Sequence, residues 1–183
     1  MNCTGCKIKK CRITESCGLE KFDTNNIVQI YEEEENQKIV QAASYLVDDG
    51  KAGTLARLQE LVEFIQKMNY QKVGLAYCFG MEKDAIEVKK YFKQNDISIS
   101  TVSCTVGGIP QDNVNKESCI HKVSCNPIGQ AEQLNNESAD FVLLMGICLG
   151  HDILLQRNLK ADFTTLVVKD RVNNNNPLLA LRN

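Results

Sequence analysis

The sequence predicts an α/β protein: an open, mostly parallel four-stranded sheet with helices on both faces, Rossmann-like or flavodoxin-like in kind, plus a cysteine-rich N-terminal metal-binding segment. Three observations carry this. Short apolar runs alternate with amphipathic stretches through most of the chain. Three of the apolar runs end on a cysteine followed closely by glycine. The first 25 residues hold Cys3, Cys6, Cys11 and Cys17 and have neither a helical nor a strand period.

Each element follows from its pattern. A helical period runs from Ile27 to Val47, with Ile39, Ala42, Ala43, Leu46 and Val47 on one face and Glu32–Glu35 as a solvated acidic run. "DDGKAGT" breaks it, and Leu55, Leu58, Leu61, Val62, Ile65 and Met68 mark a second helix. "KVGLAYC" (Lys72–Cys78) reads as the first strand, "EKDAIEVKKYFKQN" (Glu82–Asn95) as an amphipathic helix, and "ISISTVSC" (Ile97–Cys104) as the second strand. An irregular segment extends to about Ser124 and is long enough to act as a lid. "NPIGQAEQLNNE" is a short helix with Pro127 in its first turn. "DFVLLMGIC" is the third strand, "GHDILLQRN" a helix and "FTTLVVKD" the fourth strand. Strand–helix alternation of this kind implies parallel strands joined by right-handed crossovers. We divide the chain into residues 1–25, the cysteine-rich segment, and residues 26–183, a helical lead-in with the α/β domain.

Composition narrows the function. The 183 residues carry 21 Lys+Arg against 23 Asp+Glu, a net charge of −2, which argues against nucleic acid as a partner. Aromatics are 6% and Trp is absent, so stacking on bases is not an obvious mode. No apolar run reaches the roughly 18–20 residues of a membrane span. "MNCTGCKIKKC" has no apolar core of a signal peptide, and a cytoplasmic location is expected. Nine cysteines, an odd number in a reducing compartment, favour metal ligation or thiol chemistry over a disulfide framework.

In an open parallel sheet, ligands bind at the carboxyl ends of the strands. Cys78, Cys104 and Cys148 end three successive strands, and Cys125 precedes the helix that begins at Pro127. Four thiols distant in sequence are thus expected at one edge. Helices starting near Glu82, Pro127 and His151 aim their N-termini there and favour thiolate. The alternative is that these cysteines act as small hydrophobes. None of the four is paired as C-x-x-C in the zinc-knuckle manner, so widely spaced thiols around glycines suit a [4Fe–4S] cluster better than zinc. Cys119 is incidental, or competes with Cys125 as the fourth ligand. The N-terminal spacing C-x2-C-x4-C-x5-C also suggests ligation, with zinc and [4Fe–4S] about equal.

Several neighbours complete the candidate site. His151 and Asp152 begin a helix beside Cys148 and are candidate acid/base groups, against simple helix capping. Asn126 and Arg171 are candidate substrate-binding residues. Arg171 suits a carboxylate or phosphate, unless Asp170 or Asp152 pairs with it. His121 reads as a surface residue.

"AYCFG", "VSCTVGGI", "CNPIGQAEQLN", "GICLGHD" and "VVKDRV…NP" occur in this order behind a cysteine-rich start. Together they resemble a family of uncharacterised, predicted metal-binding proteins of bacteria and archaea, many from anaerobes, catalogued as a domain of unknown function. The resemblance covers nearly the whole chain and implies metal binding through Cys3, Cys6, Cys11, Cys17, Cys78, Cys104, Cys125 and Cys148. "NNNNP" stands where the pattern suggests a histidine-bearing run, and Cys119 is additional to it.

Three functions compete. The first is an iron–sulfur enzyme that desulfurates a small molecule or transfers its sulfur. The second is an electron carrier with two clusters and a redox partner protein. The third is a zinc-stabilised sensor or interaction module.

Overall fold

A computed structural model describes residues 2–13, 17, 21–48 and 51–182. The chain divides into two compact units, Met1–Ala52 and Gly53–Asn183.

In the first unit a single 3-10 turn, Lys10–Ile13, follows the first cysteines. Two helices follow, α1 (Thr24–Glu32) and α2 (Glu34–Val47). Asp23 caps α1 by accepting from the Asn25 amide at 2.9 Å. The sequence suggested one helix here. It breaks at Glu33, whose ψ of 137° is extended. Four consecutive carboxylates disfavour a continued turn, and side-chain amides complete the break. Asn36 donates to the Ile30 carbonyl at 2.8 Å and Gln37 to the Tyr31 carbonyl at 2.6 Å, taking over acceptors that a continuous helix would satisfy.

The second unit is a parallel sheet. Helix α3 (Arg57–Met68) leads into β1 (Val73–Tyr77), followed by α4 (Glu82–Gln94), β2 (Ile99–Ser103), a short α5 (Gln111–Val114), α6 (Pro127–Asn136), β3 (Phe141–Met145), α7 (His151–Asn158) and β4 (Asp162–Val167). The strand order is β2-β1-β3-β4 and every pairing is parallel. The central strands β1 and β3 are buried at every residue, whereas edge strand β4 is mostly exposed. That explains why "VGLAY" and "FVLLM" read as unbroken apolar runs and "DFTTLV" does not.

Each face of the sheet has its own core. Leu75, Tyr77, Leu143 and Met145 pack with Leu61 and Ile65 of α3 and Ala85, Val88 and Phe92 of α4. Ala76, Val142 and Leu144 pack with Ala131 and Leu134 of α6 and Leu155 of α7. The strands alternate which face each side chain serves, so helices are needed on both.

The chain leaves β1 in one direction to form β2, then returns past β1 to form β3. The switch in direction lies between β1 and β3, and in open parallel sheets ligands bind outside the carboxyl ends of the strands at such a point. Gly146 ends β3 with φ +61°, and an added Cβ would lie 2.1 Å from Met81 Sδ. Gly146→Ala should therefore cost about 1–3 kcal/mol through left-handed strain and displacement of Met81. A urea unfolding curve that matches the parent protein would contradict this.

Candidate functional site

The carboxyl edge of the sheet gathers the thiols that the strand ends foretold. The ladder continues one residue past the strands. The Cys78 amide donates to the Met145 carbonyl at 3.1 Å, and the Cys104 amide to the Tyr77 carbonyl at 2.9 Å. Cys78 and Cys104 are thus held side by side, each nearly inaccessible to solvent. Cys125 joins them because the Asn126 amide donates to the Cys104 carbonyl. Its thiol stands 3.6 Å from Cys104 Sγ, and Cys78, at the neighbouring strand end, is close enough for it and Cys104 to shift each other's ionisation. These three sulfurs form one group. Cys119 is exposed in the long loop and is not part of it.

The third strand-end thiol has a different partner. Cys148 Sγ meets the Arg171 guanidinium, with Nη2 at 3.2 Å, and among the described residues no other thiol is hydrogen-bonded to it. Lys169, which the sequence reading passed over, places Nζ 3.3 Å from Cys78 Sγ. Its signal was available: a lysine just past the fourth strand falls at the carboxyl edge by the same rule that placed the cysteines.

The sulfurs differ in charge preference. Burial pushes the Cys104 thiol up to about 12; the Phe79 amide, 3.3 Å from its sulfur, pulls the other way, and Cys125 and Cys78 add to the rise. Burial also opposes ionisation of Cys78, but the Gly80 amide, the Lys169 ammonium and the Cys104 thiol together outweigh it, and its pKa falls below the ordinary thiol value. One of these sulfurs ionises more readily than an ordinary thiol while its neighbour holds its proton more tightly.

The other candidates take defined places. Asn126 caps α6: its Oδ1 accepts from the Gly129 amide at 2.8 Å, while its Nδ2 donates to the Val106 carbonyl at 3.1 Å. Asp152 accepts from the Gly150 and Ile153 amides at 2.9 and 2.8 Å. Asp170 accepts from the Val172 and Asn173 amides at 3.0 and 2.9 Å, and from the Asn173 side chain at 3.0 Å. Arg171 pairs with neither acid. His151 opens α7, half-buried, and its imidazole has no hydrogen-bond partner among the described residues. Gln130, fully buried on α6, donates to the Tyr77 and Val102 carbonyls at 3.2 and 2.9 Å and ties that helix to the ends of β1 and β2. The long loop is pinned by a Pro110–Val123 bridge, by Ser124 Oγ on Gln111 Oε1 at 2.7 Å and by the exposed His121 on Asp112 at 2.9 Å.

In the first unit, Cys3, Cys6, Cys11 and Cys17 are all exposed. The Cys6 amide closes a turn onto the Cys3 carbonyl at 3.4 Å, and Lys9 Nζ hydrogen-bonds the same carbonyl. The Cys17 pKa is raised above the ordinary thiol value by hydrogen bonding in which Cys17 keeps its proton towards Cys11, and the charges of Cys11, Cys3 and Cys6 raise it further. These four sulfurs therefore sense one another. Residues 14–16 and 18–20, which flank Cys17, lie outside the described residues.

The chemistry of the core donor set fits a thiophilic metal. Two thiolates on one tetrahedral zinc, each at about 2.3 Å, stand about 3.8 Å apart; Cys104 and Cys125 are 3.6 Å apart. Among the described residues no three His, Cys, Asp or Glu side chains already enclose a metal-sized space. A centre held by the strand-end set would need Cys148 to turn from Arg171 towards the other three thiols.

Comparison with known proteins now places the chain. Residues 15–166 match the model of a protein family of unknown function, DUF1847. The chain belongs to this family. It is also 39% identical over 180 residues to an uncharacterized protein of Methanocaldococcus jannaschii, an alignment that covers 96% of this chain and 91% of that one. The match to the family model includes Cys17, Cys78, Cys104, Cys125 and Cys148, while Cys3, Cys6 and Cys11 precede it. No helix among the described residues is long and apolar enough to cross a membrane.

Two outcomes follow from the site. Asn126→Ala should cost about 1 kcal/mol through the lost cap of α6, read as a lower urea midpoint. The raised Cys104 pKa gives stability that is complete below the ordinary thiol value of 9.0 and is lost as pH rises towards about 12. Metal-free protein should weaken across that window, and Cys104→Ala should flatten the decline. An equally steep decline in the variant would assign the effect to other groups.

Proposed function

We propose that this chain binds a thiolate-ligated metal centre, a [4Fe–4S] cluster, at the carboxyl edge of its sheet, and that it acts there on a small sulfur-containing molecule by desulfuration or sulfur transfer. The supporting observation is the grouping of Cys78, Cys104 and Cys125 at the carboxyl ends of β1 and β2, with Cys148 just past the end of β3. Three thiolates would leave one position open, and when bound the cluster would supply a Lewis-acidic iron for a substrate sulfur. His151, whose imidazole is uncommitted, would hold or deliver the proton. Asp152 would set the start of its helix. Free thiols and an oxygen-sensitive centre suit a cytoplasmic, anaerobic setting. The N-terminal Cys3, Cys6, Cys11 and Cys17 would bind a second cluster or a zinc ion.

A single zinc ion at the core is the second reading. The 3.6 Å approach of Cys104 and Cys125 supports it, because that spacing suits two ligands of one ion. An electron carrier with two clusters is the third, and it would require all four core thiols as ligands.

Metal and acid-labile sulfide analysis of protein purified without oxygen separates these readings. Brown protein with about four or eight iron and matching sulfide per chain is expected. Colourless protein containing zinc would overturn the cluster. In a cluster-loaded enzyme, His151→Ala should keep the visible spectrum and lose roughly a hundredfold or more in turnover of a small sulfur compound. Undiminished turnover would remove the imidazole from the chemistry.

A further inference from the structure

Two cations lie against the thiols of this edge, and among the described residues neither pairs with a carboxylate. Lys169 contacts Cys78 at 3.3 Å and Arg171 contacts Cys148 at 3.2 Å. The acids nearest them in sequence are spent on the backbone. Asp170 closes the turn through Val172 and Asn173, with Asn175 Oδ1 accepting from its amide at 3.1 Å. Asp152 holds the Gly150 and Ile153 amides. Among the described residues, ion pairs form elsewhere, at Glu34–Lys38, Arg57–Glu60, Glu87–Lys90 and Asp112–His121.

A protonated thiol is a weak acceptor and returns little to a cation placed on it. A thiolate returns a charge-assisted contact, roughly twice as strong. Two cations held on sulfur without a carboxylate therefore match a site that is anionic when filled. The sign of the charge agrees: three thiolates around a doubly positive ion or cube carry a surplus of about one negative charge, and Cys148 as a fourth would raise it to about two. Lys169 and Arg171 bring two positive charges, and the turn from Asp170 to Asn175 fixes where they stand. Burial separates their weights. Lys169 is half-buried beside the nearly inaccessible Cys78, whereas Arg171 is exposed beside a half-buried Cys148. Water and salt screen the second contact more than the first.

We infer that Lys169 and Arg171 are positioning residues that supply the counter-charge of the core metal centre, with Lys169 carrying the larger share. This rests on the metal-centre reading above. Lys169 lies across the end of β3 from its sulfur, since β3 separates β1 from β4. It thereby links the last strand of the sheet to the first.

The test uses the full-length chain with Ser at Cys3, Cys6, Cys11 and Cys17, so that the core thiols report alone. Cobalt(II) is the probe, and its sulfur-to-metal charge-transfer absorption reads thiolate binding. Lys169→Met should weaken cobalt binding about tenfold or more, the loss of one hydrogen bond to a charged acceptor. Arg171→Met should weaken it less, and Lys169→Arg should recover most of the loss. The metal-free Lys169→Met variant should melt near its parent, which separates lost charge from lost fold. Unchanged cobalt affinity in Lys169→Met, with binding lost in Cys104→Ser, overturns the counter-charge role alone. Absence of the charge-transfer band in the parent, or a band indifferent to Cys104→Ser, overturns the metal-centre reading and this inference with it.

Discussion

The site depends on the register of one parallel ladder. Tyr77 pairs with Ser103 on one side and with Met145 on the other, so β1, β2 and β3 stop at the same level. The next residues are Cys78, Cys104 and Gly146. Because the ladder runs one residue further through the Cys78 and Cys104 amides, both sulfurs are fixed by backbone hydrogen bonds and not by flexible loops. A slip of one residue would send every side chain of a strand to the opposite face and would separate the thiols. The two apolar cores oppose that slip, since β1 and β3 are buried at every position.

What the ladder assembles, burial and charge then differentiate. Cys78 and Cys104 are both buried, yet their ionisation moves in opposite directions. The difference lies in the partners. Cys78 has an amide, an ammonium and a thiol pointing at its sulfur, while Cys104 has one amide against two competing sulfurs. Burial penalises charge at both positions, and the number of donors decides which sulfur overcomes it. Carboxylates have no part in this balance, because Asp152 and Asp170 are committed to backbone amides. The edge therefore presents sulfur and cation together, and His151 opens α7 beside Cys148 with no imidazole partner among the described residues.

Much of this was legible in the sequence, and the failures share a cause. The strands and their order of alternation follow from apolar runs, and the pairing of Cys78 and Cys104 follows from the rule that parallel strands end at one edge; the same rule led Cys148 to be expected with them and Cys125, and its sulfur meets Arg171 instead. The break at Glu33 was missed because it depends on two side-chain amides, Asn36 and Gln37, reaching back across it. Arg171 was expected to have an acid as its alternative partner; the Asp170 turn uses that acid first. Asn126 was expected to face a substrate, and both ends of its amide are already used, Oδ1 in capping α6 and Nδ2 on the Val106 carbonyl. Lys169 was overlooked because an isolated lysine past a strand carries no motif.

By itself the sequence determined the fold class, the edge at which chemistry collects and the residue types present there. Apolar periodicity and strand-terminal cysteines are local properties, so they can be read along the chain. Only the tertiary structure decided which sulfurs approach one another, which one ionises more readily than an ordinary thiol, and that Cys148 contacts Arg171. Those outcomes depend on distances of a few ångströms between segments separated by 21 to 91 residues. They depend equally on competition among many donors for few acceptors, and chain order does not encode such contests in any local pattern.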